Sequence, residues 1–208
     1  MTAIWGPLGW MTLHSVSTIY PANPTPAEQQ LVSQWLDLFH ACITCPSCRD
    51  HFGQMLVQLR SMYPTMLRSR AEFVAAICRA HNTVNRRLDK PVYLTISECM
   101  NVYRNNLSTR SARDYRHAYL RHIQRDWSLM RDANGIVGVR KVQELVRLEN
   151  EYWGVRDHGE IPEIADEPVA PLPRPQGESG QPRAVPLMPT RSMGPVRFVG
   201  GRFQFGRK

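Results

Sequence analysis

Residues 25–48 read TPAEQQLVSQWLDLFHACITCPSC. A helix start is written into the first four. Thr25 is a capping residue, Pro26 suits a first helical position, and Glu28 stands where a capping box needs an acid. Leu31, Trp35, Leu38, Phe39 and Cys42 then recur three and four apart, which gives one apolar helix face. At Cys45-Pro46 the start signal repeats, and Cys48, Phe52, Met55 and Leu59 line one side of a further helix. Two amphipathic helices therefore meet at a short joint that carries Cys45 and Cys48.

The same reading extends in both directions. Upstream, a helix is expected from about Pro7 to Ile19, with Trp10, Leu13, His14 and Ser17 on one stripe, ending before Tyr20-Pro21. Downstream, Ser69 and Glu72 form another capping box, ahead of a stripe of Phe73, Ile77, Val84 and Leu88. Beside it runs a second row, Cys78, His81, Asn82 and Asn85. Asp89-Lys90-Pro91 ends that helix, and a short fifth helix is expected from Ser97 to Tyr103, carrying Cys99. No period-two alternation lasts long enough for a sheet. The expected fold is all-α: a four-helix bundle plus a short fifth helix over residues 1–106. A charged helical extension follows over residues 107–160. There Tyr115, Tyr119, His122 and Ile123 share a face, as do Val142, Leu145, Val146 and Glu149, and Asn134-Gly135 marks a break. Residues 161–208 hold nine of the sixteen prolines and no periodic face, so a disordered or only locally extended tail is expected.

Composition narrows the function classes. With 42% hydrophobic and 21% charged residues, the chain suits a soluble globular protein, and no apolar run approaches the ~20 residues of a membrane span. Helical patterning begins at Trp5 with no basic start and apolar stretch before it, so no signal peptide or presequence is expected. The formal charge of +8 is spread along the chain, which argues against a single nucleic-acid stripe. Arg113, Arg116, Arg121 and Arg125 read as a solvated helix face. The end from Arg197 to Lys208 offers a weak nucleic-acid or virion contact.

The chemistry lies in five cysteines, at 42, 45, 48, 78 and 99. Cys45-x-x-Cys48 at a helix N-terminus places two sulfurs across one turn, where the helix start favours a thiolate, so the pair can cycle between dithiol and disulfide. The competing reading is a Cys/His zinc module with a basic tail, drawing on Cys42, Cys45, Cys48 and His51, a site that Cys78, His81 and Cys99 could complete only if the fold brings them near. Ligands packed three apart within ten residues are unlike the usual arrangement of distant ligand pairs. Cys42 reads as a small buried residue at a helix end, with a resolving or dimer-linking thiol as the alternative. His81 and Asn85 lie one turn apart, and polar groups on otherwise apolar stripes need partners when buried.

In order and spacing, Trp5-Gly6-Pro7-x-x-Trp10-x-x-x-His14, Tyr20-Pro21, Cys45-Pro46-Ser47-Cys48-Arg49-x-His51-Phe52 and Cys78-x-x-His81-Asn82-x-Val84-Asn85-x-x-Leu88-x-Lys90-Pro91 resemble the Erv/ALR sulfhydryl oxidases. The likeness covers about residues 4–104. The Cys-Pro-Ser-Cys-Arg form is most like versions carried by large DNA viruses, so the resemblance implies host cytoplasm or virion as the setting. It also implies a helical bundle that clasps FAD, usually as a homodimer, and an enzyme that oxidises protein dithiols, directly or through a thioredoxin-like relay protein. Electrons would pass through FAD to O2, giving H2O2, with no metal. By the same resemblance Cys48 would lie next to the flavin and Cys45 would exchange with substrate thiols. Trp5, Trp10 and His14 would border the cofactor, and His81, Asn82 and Asn85 would hold its adenine and ribose side with Val84 packed there. Lys90 would approach the phosphates or the flavin edge, and Cys78 would pair with Cys99 as a structural disulfide. Tyr93 and Tyr103 would cover the cofactor, in a region where the family's aromatic is usually a tryptophan. The chain has no second CxxC to act as a shuttle.

Overall fold

The capping signals are met in atomic detail. In the computed structural model, which describes residues 2–174, the Thr25 hydroxyl accepts from the Glu28 N–H at 3.2 Å and the Glu28 carboxylate accepts from the Thr25 N–H at 2.9 Å. Ser69, Thr95, Ser111 and Asp132 cap later helices by accepting from the N–H three residues on, without the reciprocal bond seen at Thr25, so the box expected of Ser69 and Glu72 is formed on one side. Such a cap stabilises a helix by about 1 kcal/mol. The helices are α1 (Thr2–Ile19), α2 (Pro26–Ala41), α3 (Pro46–Met62), α4 (Arg70–Arg87), α5 (Ile96–Leu107), α6 (Ala112–Leu129) and α7 (Ala133–Leu148). A π-helical turn, Glu149–Trp153, and one further turn, Gly154–Arg156, follow. The fold is all-α, and among the described residues the only β pairing is an isolated Thr95–Pro168 bridge. No helix of the described residues is long and apolar enough to cross a membrane.

Two details differ from the sequence reading. Helix α1 begins at Thr2, so Pro7 lies inside it rather than in its first turn; only the first intrahelical bonds are affected there. The α6–α7 break falls before Asn134-Gly135, because the Asp132 carboxylate accepts from the Gly135 N–H at 2.9 Å and starts α7.

Helices α1–α4 surround a core of Leu13, Val16, Trp35, Phe39, Phe52, Leu56, Phe73 and Ile77. Helix α6 lies along α1, and α7 packs on α2 and α6. The same core continues into them: the Phe39 and Tyr119 rings stack at 4.9 Å, and Trp153 meets Trp35 edge-on at 5.5 Å. A buried ionic knot ties these layers. Arg116, expected on a solvated face, is 1% exposed. It forks onto Glu149, pairs with Asp157 at 2.9 Å and donates to the Ser15 hydroxyl of α1 at 2.6 Å. Burial alone would lower its pKa, but the hydrogen bonds and charges of Glu149 and Asp157 leave it raised.

Residues 161–173 form an extended strap. Val169 and Leu172 are each 1% exposed. The strap pairs with the α4–α5 connection through Ile96 N–H to Glu167 C=O and Val169 N–H to Leu94 C=O. It then crosses α4, where Leu172 N–H donates to the Thr83 hydroxyl, and reaches α3, where Gln58 donates to Pro173 C=O. The tail expected to be disordered or only locally extended from residue 161 therefore begins as a packed strap, held by backbone hydrogen bonds that no sequence period announces; its remainder beyond residue 174, with the arginine-bearing end, lies outside the described residues.

Candidate active site

Helix α3 opens on the redox pair. Cys45 is its N-cap, in extended geometry, and its Sγ accepts from the Cys48 N–H at 3.4 Å. Cys45 and Cys48 are joined as a disulfide with a Cα–Cα separation of 5.3 Å. Both residues are half-buried. The Ser47 hydroxyl lies 3.5 Å from Cys45 Sγ. Free N–H groups at the start of a helix stabilise negative charge, so a thiolate released here is held at low cost.

The loop entering this turn is fixed from three helices. His40 of α2 donates to the Arg49 C=O at 3.0 Å, and its ring fills the space a Cβ on Gly53 would need, 2.6 Å away. Arg49 returns its guanidinium to the Ile43 C=O at 3.1 Å. From α6, the Trp127 indole N–H donates to the Cys42 C=O at 3.0 Å, and Asp126 accepts from the Thr44 hydroxyl at 3.2 Å. Cys42 itself is fully buried, and burial pushes its thiol up to about 12, with Lys141 opposing.

Helices α1 and α4 contribute a cluster of rings. Trp10 stacks on His81 with centroids 4.1 Å apart, Tyr93 meets His81 edge-on at 5.5 Å, and Tyr103 lies 5.8 Å from His14. His14 Nε2 is 2.9 Å from His81 Nδ1. Both imidazoles are neutral at pH 7. Burial lowers His14 to about 4, and burial, His14 and Lys90 together lower His81 to about 2. One ring therefore donates to the other. His14 Nδ1 and Trp5 Nε1 are buried and have no hydrogen-bond partner. The α3 and α4 ends meet where Arg87 approaches His51 at 3.4 Å, one turn beyond Cys48. The disulfide and the His81–Asn85 turn therefore belong to the same end of the bundle.

Cys78 and Cys99 are free thiols, both buried. The expected bond between them is not formed, although with His14 their ligand atoms all lie within 4.8 Å of one another. A hydrogen bond with Cys78, followed by burial, raises the Cys99 thiol. Three such atoms are also three of the four ligands a closed zinc centre needs.

The residue pattern has a close parallel in known proteins. The Erv1 / Alr family model matches residues 8–106. An FAD-linked sulfhydryl oxidase of African swine fever virus (isolate Tick/Malawi/Lil 20-1/1983) is 30% identical over 103 residues, covering 50% of this chain and 82% of the viral one. The chain belongs to the Erv1/Alr family. Mitochondrial FAD-linked sulfhydryl oxidase ERV1 of Saccharomyces cerevisiae is 35% identical over 88 residues, 42% of this chain and 44% of its own. FAD-linked sulfhydryl oxidase ERV1 of Arabidopsis thaliana is 36% identical over 84 residues, 40% and 42% of the two chains. This Erv1/Alr chain thus spans less than half the length of these plant and yeast relatives. The solved yeast Erv1 core aligns with a TM-score of 0.39 at 32% identity, over 43% of this chain and 72% of that one.

Within this Erv1/Alr chain the expected site residues divide. Trp10, His14 and His81 converge, and Asn85 is buried on the same helix face as His81. Val84 packs half-buried against the main core, as do Trp5, Trp10, Cys45 and Cys48. Lys90 is exposed. Asn82 is occupied by the protein's own backbone. Its amide accepts from the Tyr93 N–H at 2.8 Å and donates to the C=O of Tyr93 and of Val169. It clamps the α4–α5 connection and the strap. Two cavities of about 300 and about 420 Å3 lie elsewhere, one under the strap beside Tyr63 and Arg79, the other beside Tyr103 and Asp157. The sequence reading missed His40, Thr44, Asp126 and Trp127. One signal was present: Gly138 in the middle of a helix marks a close approach, and a Cβ there would lie 2.1 Å from the Trp127 ring.

Proposed function

We propose that this chain is a flavin-linked thiol oxidase that makes disulfides in protein substrates. The half-exposed Cys45–Cys48 disulfide at the start of α3 carries the reading. A substrate thiolate attacks Cys45 Sγ, the Cys45–Cys48 bond breaks, and Cys48 leaves as a thiolate in the first turn of α3, where free N–H groups favour it. A second substrate thiol then displaces Cys45. The substrate disulfide forms, and two electrons and two protons have moved to the cysteine pair.

The donor set suits a polar aromatic cofactor. His14 Nδ1 and Trp5 Nε1 are buried without partners, and such atoms are costly unless a ligand answers them. Trp5, Trp10, His14, His81, Val84, Asn85 and Lys90 would hold FAD, with Cys48 the sulfur nearest it. Bound FAD would accept the pair's two electrons and pass them to O2, giving H2O2. Neutral His14 and His81 would offer hydrogen bonds without adding charge beside the ring. Asn82 would act on the cofactor only through the connection it clamps. Cys78 and Cys99, free here with sulfurs within 4.8 Å of each other, would pair as a structural disulfide on oxidation, which would stabilise the chain by about 3 kcal/mol in the chain-entropy account. Partners are protein dithiols or a thioredoxin-like relay, and a second copy of the chain. The viral relatives favour a viral setting, in host cytoplasm or virion.

The purified full chain should be yellow and consume O2 when given a dithiol. Cys48→Ser should keep the flavin absorbance and lose the O2 uptake. Full oxidase activity in that variant defeats the assignment. One zinc per chain with no flavin absorbance supports the zinc module instead.

A further inference from the structure

We propose that α6 is part of the redox machinery: Trp127 and Asp126 are positioning residues that hold the Cys42–Thr44 loop and thereby set the stability of the Cys45–Cys48 disulfide. The inference rests on the reading of that pair as the working redox couple.

Cys42 caps the C-terminus of α2 and Ile43 follows it, where backbone carbonyls lack intrahelical partners. Two of these groups are answered from outside α2. The Cys42 C=O takes the Trp127 indole N–H at 3.0 Å, and the Ile43 C=O takes the Arg49 guanidinium at 3.1 Å. The Arg49 guanidinium also lies over the Trp127 ring, 5.9 Å from its centroid. The next residue, Thr44, donates to Asp126 at 3.2 Å, and Asp126 lies 3.5 Å from His122, one turn back on α6. Cys45 follows directly. Trp127 is 6% exposed and backed by Gly138 of α7, where any side chain would strike the indole. The ring cannot retreat, so the loop is tied to a fixed donor.

A fixed loop keeps the two sulfurs opposed after reduction. Reduction by a dithiol breaks the Cys45–Cys48 bond and forms two protein thiols, while the reductant closes its own disulfide. The reverse step is favoured when the protein thiols stay in register, because ordering them again costs entropy. Releasing the loop should therefore make the disulfide easier to reduce.

The test uses the full chain under anaerobic conditions in buffers of reduced and oxidised dithiothreitol, with the Cys45–Cys48 state read by alkylation and mass. Trp127→Phe keeps an aromatic ring against Gly138 and removes the N–H. Thr44→Val removes the hydroxyl at a half-buried site and leaves the core intact. Trp153→Phe is the control, a fully buried indole whose N–H has no partner. Trp127→Phe should shift the equilibrium toward dithiol by three- to tenfold; tenfold is about 30 mV for a two-electron couple. Thr44→Val should shift it the same way by less, and Trp153→Phe should leave it in place. Wild-type equilibria in both Trp127→Phe and Thr44→Val overturn the proposal. So does a Trp127→Phe shift matched by Trp153→Phe with Thr44→Val unchanged, since that is general loosening of the core. If Trp127→Phe does not fold, Thr44→Val decides alone. The buffers exchange with the disulfide directly, so the brace is read even if the wild-type chain carries no flavin and consumes no O2, the outcome that would sink the oxidase reading instead.

Discussion

Acid should weaken this fold through His14, with a loss of the same sign from its neighbour His81. His14 is 3% exposed, and burial lowers its pKa from 6.5 to about 4. In the unfolded chain it takes a proton near pH 6.5; in the folded chain it refuses one until about pH 4. Its folded pKa lies below the unfolded one, so its contribution is intact above pH 6.5 and is lost as the pH falls toward 4. Each pKa unit is worth about 1.36 kcal/mol, so the window costs roughly 3 kcal/mol, an order-of-magnitude figure. His81 is less buried and adds a loss of the same sign. The assay is urea unfolding between pH 7.5 and 4.5 for wild type and His14→Gln, in the same cofactor state. Glutamine takes no proton, so the variant, whatever its stability at pH 7.5, should lose less than wild type on acidification, with the His81 share remaining. Parallel losses in the two proteins would refute the reasoning, because the shared acid response would then come from other groups.

Two further outcomes follow from packing. Arg116→Met leaves Glu149 and Asp157 facing each other without their cation and should cost about 3–5 kcal/mol by urea unfolding; a loss under 1 kcal/mol would mean that water reaches the knot. Gly138→Ala drives a Cβ to 2.1 Å from the Trp127 ring and should cost at least ~1–3 kcal/mol in the same assay, since a packed indole has no free direction in which to move.

The elements with strong local signals were legible. Thr25 with Glu28, and Ser69 with Glu72, name helix starts because capping is a contact between residues three apart. The Trp10, His14 and His81 group was legible by likeness of pattern, and Trp10 does stack on His81. The losses came from contacts distant in sequence. Arg116 reads as solvated until Glu149 and Asp157, more than thirty residues on, close around it. Asn82 reads as a ligand-facing amide until the α4–α5 connection and the strap return to it. Trp127 reads as part of a charged helix because its partner is a backbone carbonyl 85 residues away, and backbone groups carry no sequence signature.

The knot at Arg116 bears on where this chain can be cut. Ser15 and Phe39, within the stretch matched by the family model, now face Arg116 and Tyr119 outside it. A truncation after Leu107 would strip cover from both, so the stretch matched by the family model owes part of its burial to residues that lie outside it.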